Sequence, residues 1–251
     1  MSAMMKPDVV DLQSFYASQL GHVAGVALSR VLAEFWPSNL GLTVLGLGYA
    51  TPWLDDLAHD AVRTMAFMPA EMGVAAWPSH GASATALVDT LRLPLPDACI
   101  DRLLLVHVLE TSSDAERFLA EIWRVLTPGG RLIAIVPNRR GLWARFDHTP
   151  FGLGRPFSRG QLREILRDAL LSPLTIREAL YMPPSDDRLF LRLAPALEAA
   201  GRRLTLPGAG VLAVEATKLL YRPISLRAAN PRLARVLQPA LASIGISGRG
   251  L

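Results

Sequence analysis

The chain has 251 residues, of which 51% are hydrophobic and 19% are charged, so it can build one sizeable core. Its net charge of +4 and its dispersed arginines argue against a specific nucleic-acid partner. The single cysteine, Cys99, excludes an internal disulfide and a cysteine-based metal site. We expect a cytoplasmic protein, because the sequence shows no transmembrane segment and no secretory signal.

The chain begins with apolar residues at helical spacing, which predict one helix or two short helices over 11–36. A turn cluster at 37–41 follows, and from there strands and helices alternate to about residue 220. The predicted strands are 43–48, 63–68, 85–88, 100–109, 131–136, 174–181 and 211–220, and the later helices are 53–62, 115–126, 159–170 and 189–200.

This alternation predicts an α/β fold with one doubly wound, mostly parallel sheet and helices on both faces. We divide the chain into an N-terminal helical segment over 1–40, an α/β domain over 41–224 and a loosely ordered C-terminal tail over 225–251.

Two glycines, Gly46 and Gly48, end the first strand just before a helix begins. A glycine turn followed by a helix start is typical of cofactor sites, because the backbone can approach the ligand and offers free N–H groups. A tight turn needed only for helix–strand packing has the same sequence, so both interpretations stay open.

Three segments carry a family resemblance. Residues 89–102 begin with Asp89 and contain Leu-Pro-Leu-Pro-Asp, residues 107–110 are His-Val-Leu-Glu, and residues 121–132 contain Arg-Val-Leu-Thr-Pro-Gly-Gly. In this order and spacing they resemble the class I S-adenosylmethionine-dependent methyltransferases, in particular the branch that methylates small molecules and quinone precursors. The resemblance implies a seven-stranded sheet whose last strand is antiparallel, with S-adenosylmethionine across the carboxyl ends of the first four strands.

The resemblance also implies roles for single residues. It places Gly48 at the first glycine of the cofactor loop, Asp89 at the acid that contacts the adenine amino group, and His107 beside the methyl group. From that position we interpret His107 as the candidate catalytic base. Asp89 as a loop acid and His107 as a hydrogen-bonded core residue remain alternatives. The expected cofactor-binding residues are Gly46, Gly48, Tyr49, Phe67, Met68, Asp89, Thr90 and Leu91.

Two polar anchors of the family are missing. Gly46 stands where the family has an acid, and Phe67 stands where it has the carboxylate that binds the ribose. Such a carboxylate–diol contact contributes about 1.5–3 kcal/mol. Phe67 and Met68 could pack on the adenosyl group, and Tyr49 could fill the space of the methionine moiety. Methyl transfer to a small molecule and a non-catalytic binding or scaffolding role are therefore both open.

The segment 138–160 interleaves arginines with aromatic residues after the fifth strand. One interpretation is a lid that grips an anionic or aromatic small molecule, because guanidinium groups bind anions and aromatic rings stack. The alternatives are a surface for anionic lipid or protein, and a solvated loop whose aromatics join the core. The candidate lid residues are Arg140, Trp143, Arg145 and Phe151.

Overall fold

The computed structural model describes residues 7–204 and 206–220. The predicted tail over 225–251 lies outside the described residues. Among the described helices, none is long and apolar enough to cross a bilayer. The helices are α1 (Val9–Ala17), α2 (Gln19–Phe35), α3 (Thr51–Ala58), α4 (Ala115–Val125), α5 (Arg159–Asp168) and α6 (Arg188–Leu204). The strands are β1 (Thr43–Gly48), β2 (Arg63–Pro69), β3 (Thr85–Val88), β4 (Ile100–Val106), β5 (Leu126–Pro137), β6 (Leu171–Ala179) and β7 (Val211–Lys218).

The described strands form one seven-stranded sheet in the order β3-β2-β1-β4-β5-β7-β6. Strands β1 to β5 pair in parallel, and β7 runs antiparallel to both β5 and β6. The predicted fold class is therefore confirmed, including the antiparallel last strand. This order places the carboxyl ends of β2, β1 and β4 side by side, next to the end of β3.

Both faces of the sheet are covered, which explains the nearly continuous apolar runs in its central strands. Alternate residues of each strand enter opposite cores: Leu45 and Leu103 join the core that contains α4 and α5. Val44 and Leu104 join the core that contains α2, α3 and part of α6.

The N-terminal helical segment divides at Ser18, which ends α1 and caps α2. Ser18 has extended backbone angles, and its hydroxyl accepts the N–H of Gly21, a typical helix N-cap. A Cβ at Gly21 would lie 1.9 Å from the carbonyl oxygen of Phe15, so only glycine allows this close turn. The turn packs α1 across the end of the sheet, where Val9 donates its N–H to the carbonyl of Met72.

Candidate functional site at the carboxyl ends of the strands

A cavity of about 340 Å³ opens where β2, β3 and β4 end. Its volume lies in the range of small-molecule sites. Three of its lining residues, Asp89, Thr90 and Leu91, are among the predicted cofactor-binding residues. The structure therefore places these three together at the expected edge of the sheet.

The wall formed by Asp89 to Leu91 is held in shape from both ends. Asp89 accepts the N–H of Leu91 through Oδ1 at 2.9 Å. Farther along the loop, the mostly buried Glu121 accepts the N–H of Leu93 at 2.7 Å and pairs with Arg124. Arg124 also donates to the carbonyl oxygens of Leu93 and Leu95. Because of the Arg124 hydrogen bonds, the pKa of the Glu121 carboxyl lies below its ordinary value.

Other polar residues line the same cavity although the sequence interpretation did not single them out. Glu71 lies two residues after the end of β2, and Thr111, Ser112 and Ser113 follow β4. The sequence did contain a signal for Glu71. It is the first acid after β2, the strand in which Phe67 stands at the position of the family's ribose-binding carboxylate. The cavity therefore contains a second carboxylate besides Asp89.

Five of the predicted cofactor-binding residues do not line this cavity, namely Gly46, Gly48, Tyr49, Phe67 and Met68. Their packing corrects the sequence interpretation. Gly46 lies within β1, where an added Cβ would lie 2.8 Å from the Cβ of Ala50 and 2.9 Å from Leu54. The close approach of α3 thus requires glycine and leaves no room for the family's acid. Phe67 is buried among the apolar residues on the α4 and α5 face. Met68 is fully buried, and its sulfur accepts the N–H of Ala75.

Gly48 is required by the turn itself. It has a φ of +87°, and an added Cβ would lie 2.1 Å from the carbonyl oxygen of Val106. The next residue, Tyr49, donates its N–H to that same oxygen at 2.9 Å. The turn is therefore fastened to the end of β4, and its glycine is explained by backbone packing.

Tyr49 closes the space beside this turn. Its side chain is only 5% exposed and packs with Leu12 and Met72. Its ring also stacks on Tyr16 of α1, with the ring centroids 5.6 Å apart. The residues present therefore fit the adenosyl part of S-adenosylmethionine, while Tyr49 and α1 fill the region expected for its methionine part.

His107, the predicted base, is buried in a chain of polar side chains behind Tyr16. Its φ is +56°, and its Nε2 lies 2.8 Å from the Tyr16 hydroxyl. Its Nδ1 lies 3.4 Å from Oε1 of the equally buried Glu110. Among the described residues, neither this Nδ1 nor the two Glu110 carboxylate oxygens has a hydrogen-bond partner. Burial raises the pKa of the Tyr16 phenol well above its ordinary value, and nearby Tyr49 and Glu110 raise it further.

A second and larger cavity, of about 730 Å³, lies between the α1–α2 turn and α6. Tyr16 is part of its lining, together with His22 and Val23 of α2 and Arg188, Leu191 and Arg192 of α6. Tyr16 thus contacts His107 and also borders this cavity, which the sequence did not indicate.

The predicted lid residues separate into two groups. Trp143 is fully buried and donates its Nε1–H to the carbonyl of Met182, and Phe151 is buried against Trp143 and the His107 ring. Arg140 and Arg145 are exposed. The two aromatics are thus core residues, which corrects the prediction of a lid formed by all four.

Among the described residues, no group of His, Cys, Asp and Glu is arranged to hold a metal ion.

The strand order and the cavity at the carboxyl ends define a class I methyltransferase fold. Residues 43–134 match the profile of the methyltransferase domain family. The predicted resemblance to S-adenosylmethionine-dependent methyltransferases is thereby confirmed, and the match supports S-adenosylmethionine as the cofactor of this domain.

Individual relatives agree with this assignment over different lengths. The demethylmenaquinone methyltransferase of Deinococcus radiodurans is 49% identical over 47 residues, which cover 19% of this chain and 20% of that protein. The matches to the curated relatives span only 18% to 34% of those proteins' own length.

Solved structures match over most of the chain. A methyltransferase from Thermotoga maritima has a TM-score of 0.60 and 17% identity, covering 84% of this chain and 96% of its own. The cyclase SpnF has a TM-score of 0.52 and 22% identity, covering 87% of this chain and 99% of its own. At these identities the likeness shows the fold alone.

Proposed function

We propose that this protein transfers a methyl group from S-adenosylmethionine to a small molecule. The observation that supports this most strongly is the cavity at the ends of β2, β3 and β4. Asp89 lines it on a loop held by its own hydrogen bond to Leu91, and Glu71 lines another wall. A carboxylate that accepts from an exocyclic amine can recognise adenine, and one that accepts from two hydroxyls can recognise ribose. Asp89 would recognise the adenine amino group. Glu71 would bind the ribose hydroxyls, because Phe67 stands at the position of the family's ribose-binding carboxylate.

When bound, S-adenosylmethionine would supply an electrophilic methyl group on a positively charged sulfur. The methionine part needs space near Gly48, so the Tyr49 side chain has to turn away from Leu12 and Tyr16. The rest of the proposed site can stay in place, because Asp89 and Glu71 lie on other walls of the cavity. The protein then contributes mainly by holding the acceptor close to the methyl group.

The acceptor in this proposal occupies the cavity between α2 and α6. Apolar side chains of Val23 and Leu191 line it together with Arg188 and Arg192, a combination that suits an apolar molecule with an anionic group. The acceptor gives its proton to the Tyr16 oxygen while the Tyr16 hydroxyl proton passes to Nε2 of His107. Glu110, 3.4 Å from Nδ1, stabilises the positive charge that forms on the imidazole. His107 thus acts through Tyr16, because its own ring is buried.

A non-catalytic binding protein is the second candidate, and the buried Tyr49 favours it. If Tyr49 stays between Leu12 and Tyr16, the protein can hold an adenosyl group without the methionine part. Such a protein would keep the sheet and its cavity while lacking methyl transfer.

Calorimetric titration of the full chain with adenosine, S-adenosylhomocysteine and S-adenosylmethionine separates the two candidates. Micromolar affinity for both sulfur-containing ligands, well above that for adenosine, supports the transferase. Affinity for adenosine that equals the affinity for both larger ligands supports the binding protein. Absence of heat with all three, together with an unchanged melting temperature, rejects the adenosyl site.

A further inference from the structure

The outer face of α6 is an apolar stripe that the described structure leaves uncovered. Leu189, Leu193 and Leu204 are 61%, 44% and 67% exposed. They repeat at intervals that place them on one side of the helix, with the exposed Ala196 and Ala200 between them. The opposite side of α6 packs inward, where Ala194 and Glu198 are buried. The helix therefore presents apolar residues to the solvent as well as to the protein core.

Arginines border this stripe. Arg188, Arg192 and Arg203 are exposed beside it, and the single acid of α6, Glu198, is buried and accepts backbone N–H groups of Leu180 and Met182. Among the acids outside the helix, Glu34 pairs with Arg202 and Arg177, and Asp187 accepts the N–H of Leu189. Asp186 and Asp187 are exposed just before the first residue of α6. The outer face of α6 therefore combines exposed leucines with three exposed arginines, and α6 itself contributes no exposed acid.

We infer that the outer face of α6 docks on an anionic lipid bilayer. Leucine side chains on a helix lying in the plane of the interface enter the boundary between headgroups and acyl chains, and arginines beside them bind lipid phosphates. Leu189, Leu193 and Leu204 are the inserting residues, with Phe190 at the edge of the stripe. Arg188, Arg192 and Arg203 bind the headgroups.

The charge of this face argues against a second copy of the chain as its occupant. In a two-fold contact between copies of the chain, the same patch meets itself, and the arginines of one copy would face those of the other. An anionic bilayer instead complements the arginines of α6.

The cavity between α2 and α6 belongs to the same side of the molecule, because Arg188 and Arg192 line it as well as bordering the stripe. Docking through α6 would place its opening near the headgroups. The docking inference itself does not depend on methyl transfer.

Sedimentation of the full chain with vesicles tests this inference. One set of vesicles is pure phosphatidylcholine, and the other contains phosphatidylglycerol in addition. We expect binding to the second set only, and weaker binding as salt is added. The double variant Leu189→Gln/Leu193→Gln and the double variant Arg188→Gln/Arg192→Gln should each lower the partition coefficient about tenfold or more.

Matched controls change the same residue types elsewhere on the surface. Leu40→Gln/Val62→Gln alters apolar side chains that are 78% and 76% exposed at the amino ends of β1 and β2. Arg163→Gln/Arg167→Gln removes two exposed arginines of α5. Both controls should bind like the unchanged protein, and circular dichroism melting should show that every variant is folded.

Several outcomes overturn the inference. These are equal binding to both vesicle sets, no binding at all, unchanged binding of the α6 variants, or an equal loss in the controls. Light scattering adds another: if the Leu189→Gln/Leu193→Gln variant turns a dimer into a monomer while vesicle binding is unaffected, the stripe is a subunit interface.

Discussion

The Tyr16 hydroxyl lies 2.8 Å from Nε2 of His107, although 91 positions separate the two residues in the chain. The contact joins the N-terminal helix to the end of the fourth strand. It also shields the imidazole from solvent, since His107 is 1% exposed. Any proton transfer between His107 and a molecule in the cavity beside α6 therefore passes through Tyr16.

Replacing Tyr16 with phenylalanine should destabilise the protein and slow transfer. The variant keeps the ring but leaves Nε2 of His107 buried without its partner, a loss of about 1–3 kcal/mol in the free energy of unfolding. If Tyr16 also carries the proton, kcat falls while KM for the cofactor changes little. The control is Tyr49→Phe, which keeps the stack on Tyr16. Equal effects of the two variants on kcat would contradict the assigned role of Tyr16.

Replacing Asp89 with asparagine should weaken adenosine binding about tenfold, because one charge-assisted hydrogen bond becomes a neutral one. Asparagine keeps an oxygen that can accept the N–H of Leu91, so the loop should retain its shape. Calorimetry measures the affinity. The control is Asp56→Asn, an exposed acid on α3. An unchanged dissociation constant for Asp89→Asn would remove this residue from the site.

Replacing Tyr49 with alanine should raise affinity for S-adenosylhomocysteine relative to adenosine, because it empties the space that the methionine part needs. We also expect the free energy of unfolding to fall by about 2–4 kcal/mol, since a buried ring is removed. Both affinities are measured by calorimetry under conditions where the variant is folded. A constant ratio of the two affinities would mean that Tyr49 does not block the cofactor.

Replacing Gly46 with aspartate restores the family's acid and should nevertheless destabilise the protein by at least about 3 kcal/mol. The new side chain would collide with Ala50 and Leu54, and its charge would be buried. The control is Gly160→Asp in the first turn of α5, where an added Cβ meets no atom closer than 4.0 Å. Urea unfolding compares the two variants. Equal stability of both would refute the packing explanation for Gly46.

Replacing Glu121 with glutamine should reveal the pH dependence of the loop that carries Asp89. The folded state lowers the pKa of Glu121, so its ionised form stabilises the fold above the ordinary value of 4.5. This contribution is lost as pH falls below 4.5 and through the lowered pKa. The variant should therefore be less stable by about 1.5–3 kcal/mol at pH 7 and should approach the unchanged protein in acid. Urea unfolding across pH measures this, with the exposed Glu116→Gln as control; a difference independent of pH would contradict the assignment.

The sequence alone determined the sheet and much of one cavity wall. Apolar runs such as Leu103 to Val106 belong to strands buried on both faces, and the Thr-Pro-Gly-Gly run after α4 marks where that helix stops. These are local signals, because periodicity and turn chemistry depend on neighbours in the chain. The position of Asp89 after β3 followed from the same reasoning, since parallel strands end at a common edge.

Only the tertiary structure decided which residues share a space. It packs Tyr16 between Tyr49 and His107, places α3 against Gly46, and exposes a leucine stripe on α6 between arginines. The helical spacing around Tyr16 and Leu189 shows that each belongs to a helix. It does not show which residues, or whether solvent, each side chain faces in the folded protein. That depends on how α1 crosses the sheet after the turn at Ser18 and on which face of α6 meets α2, and both are set by packing between segments distant in sequence.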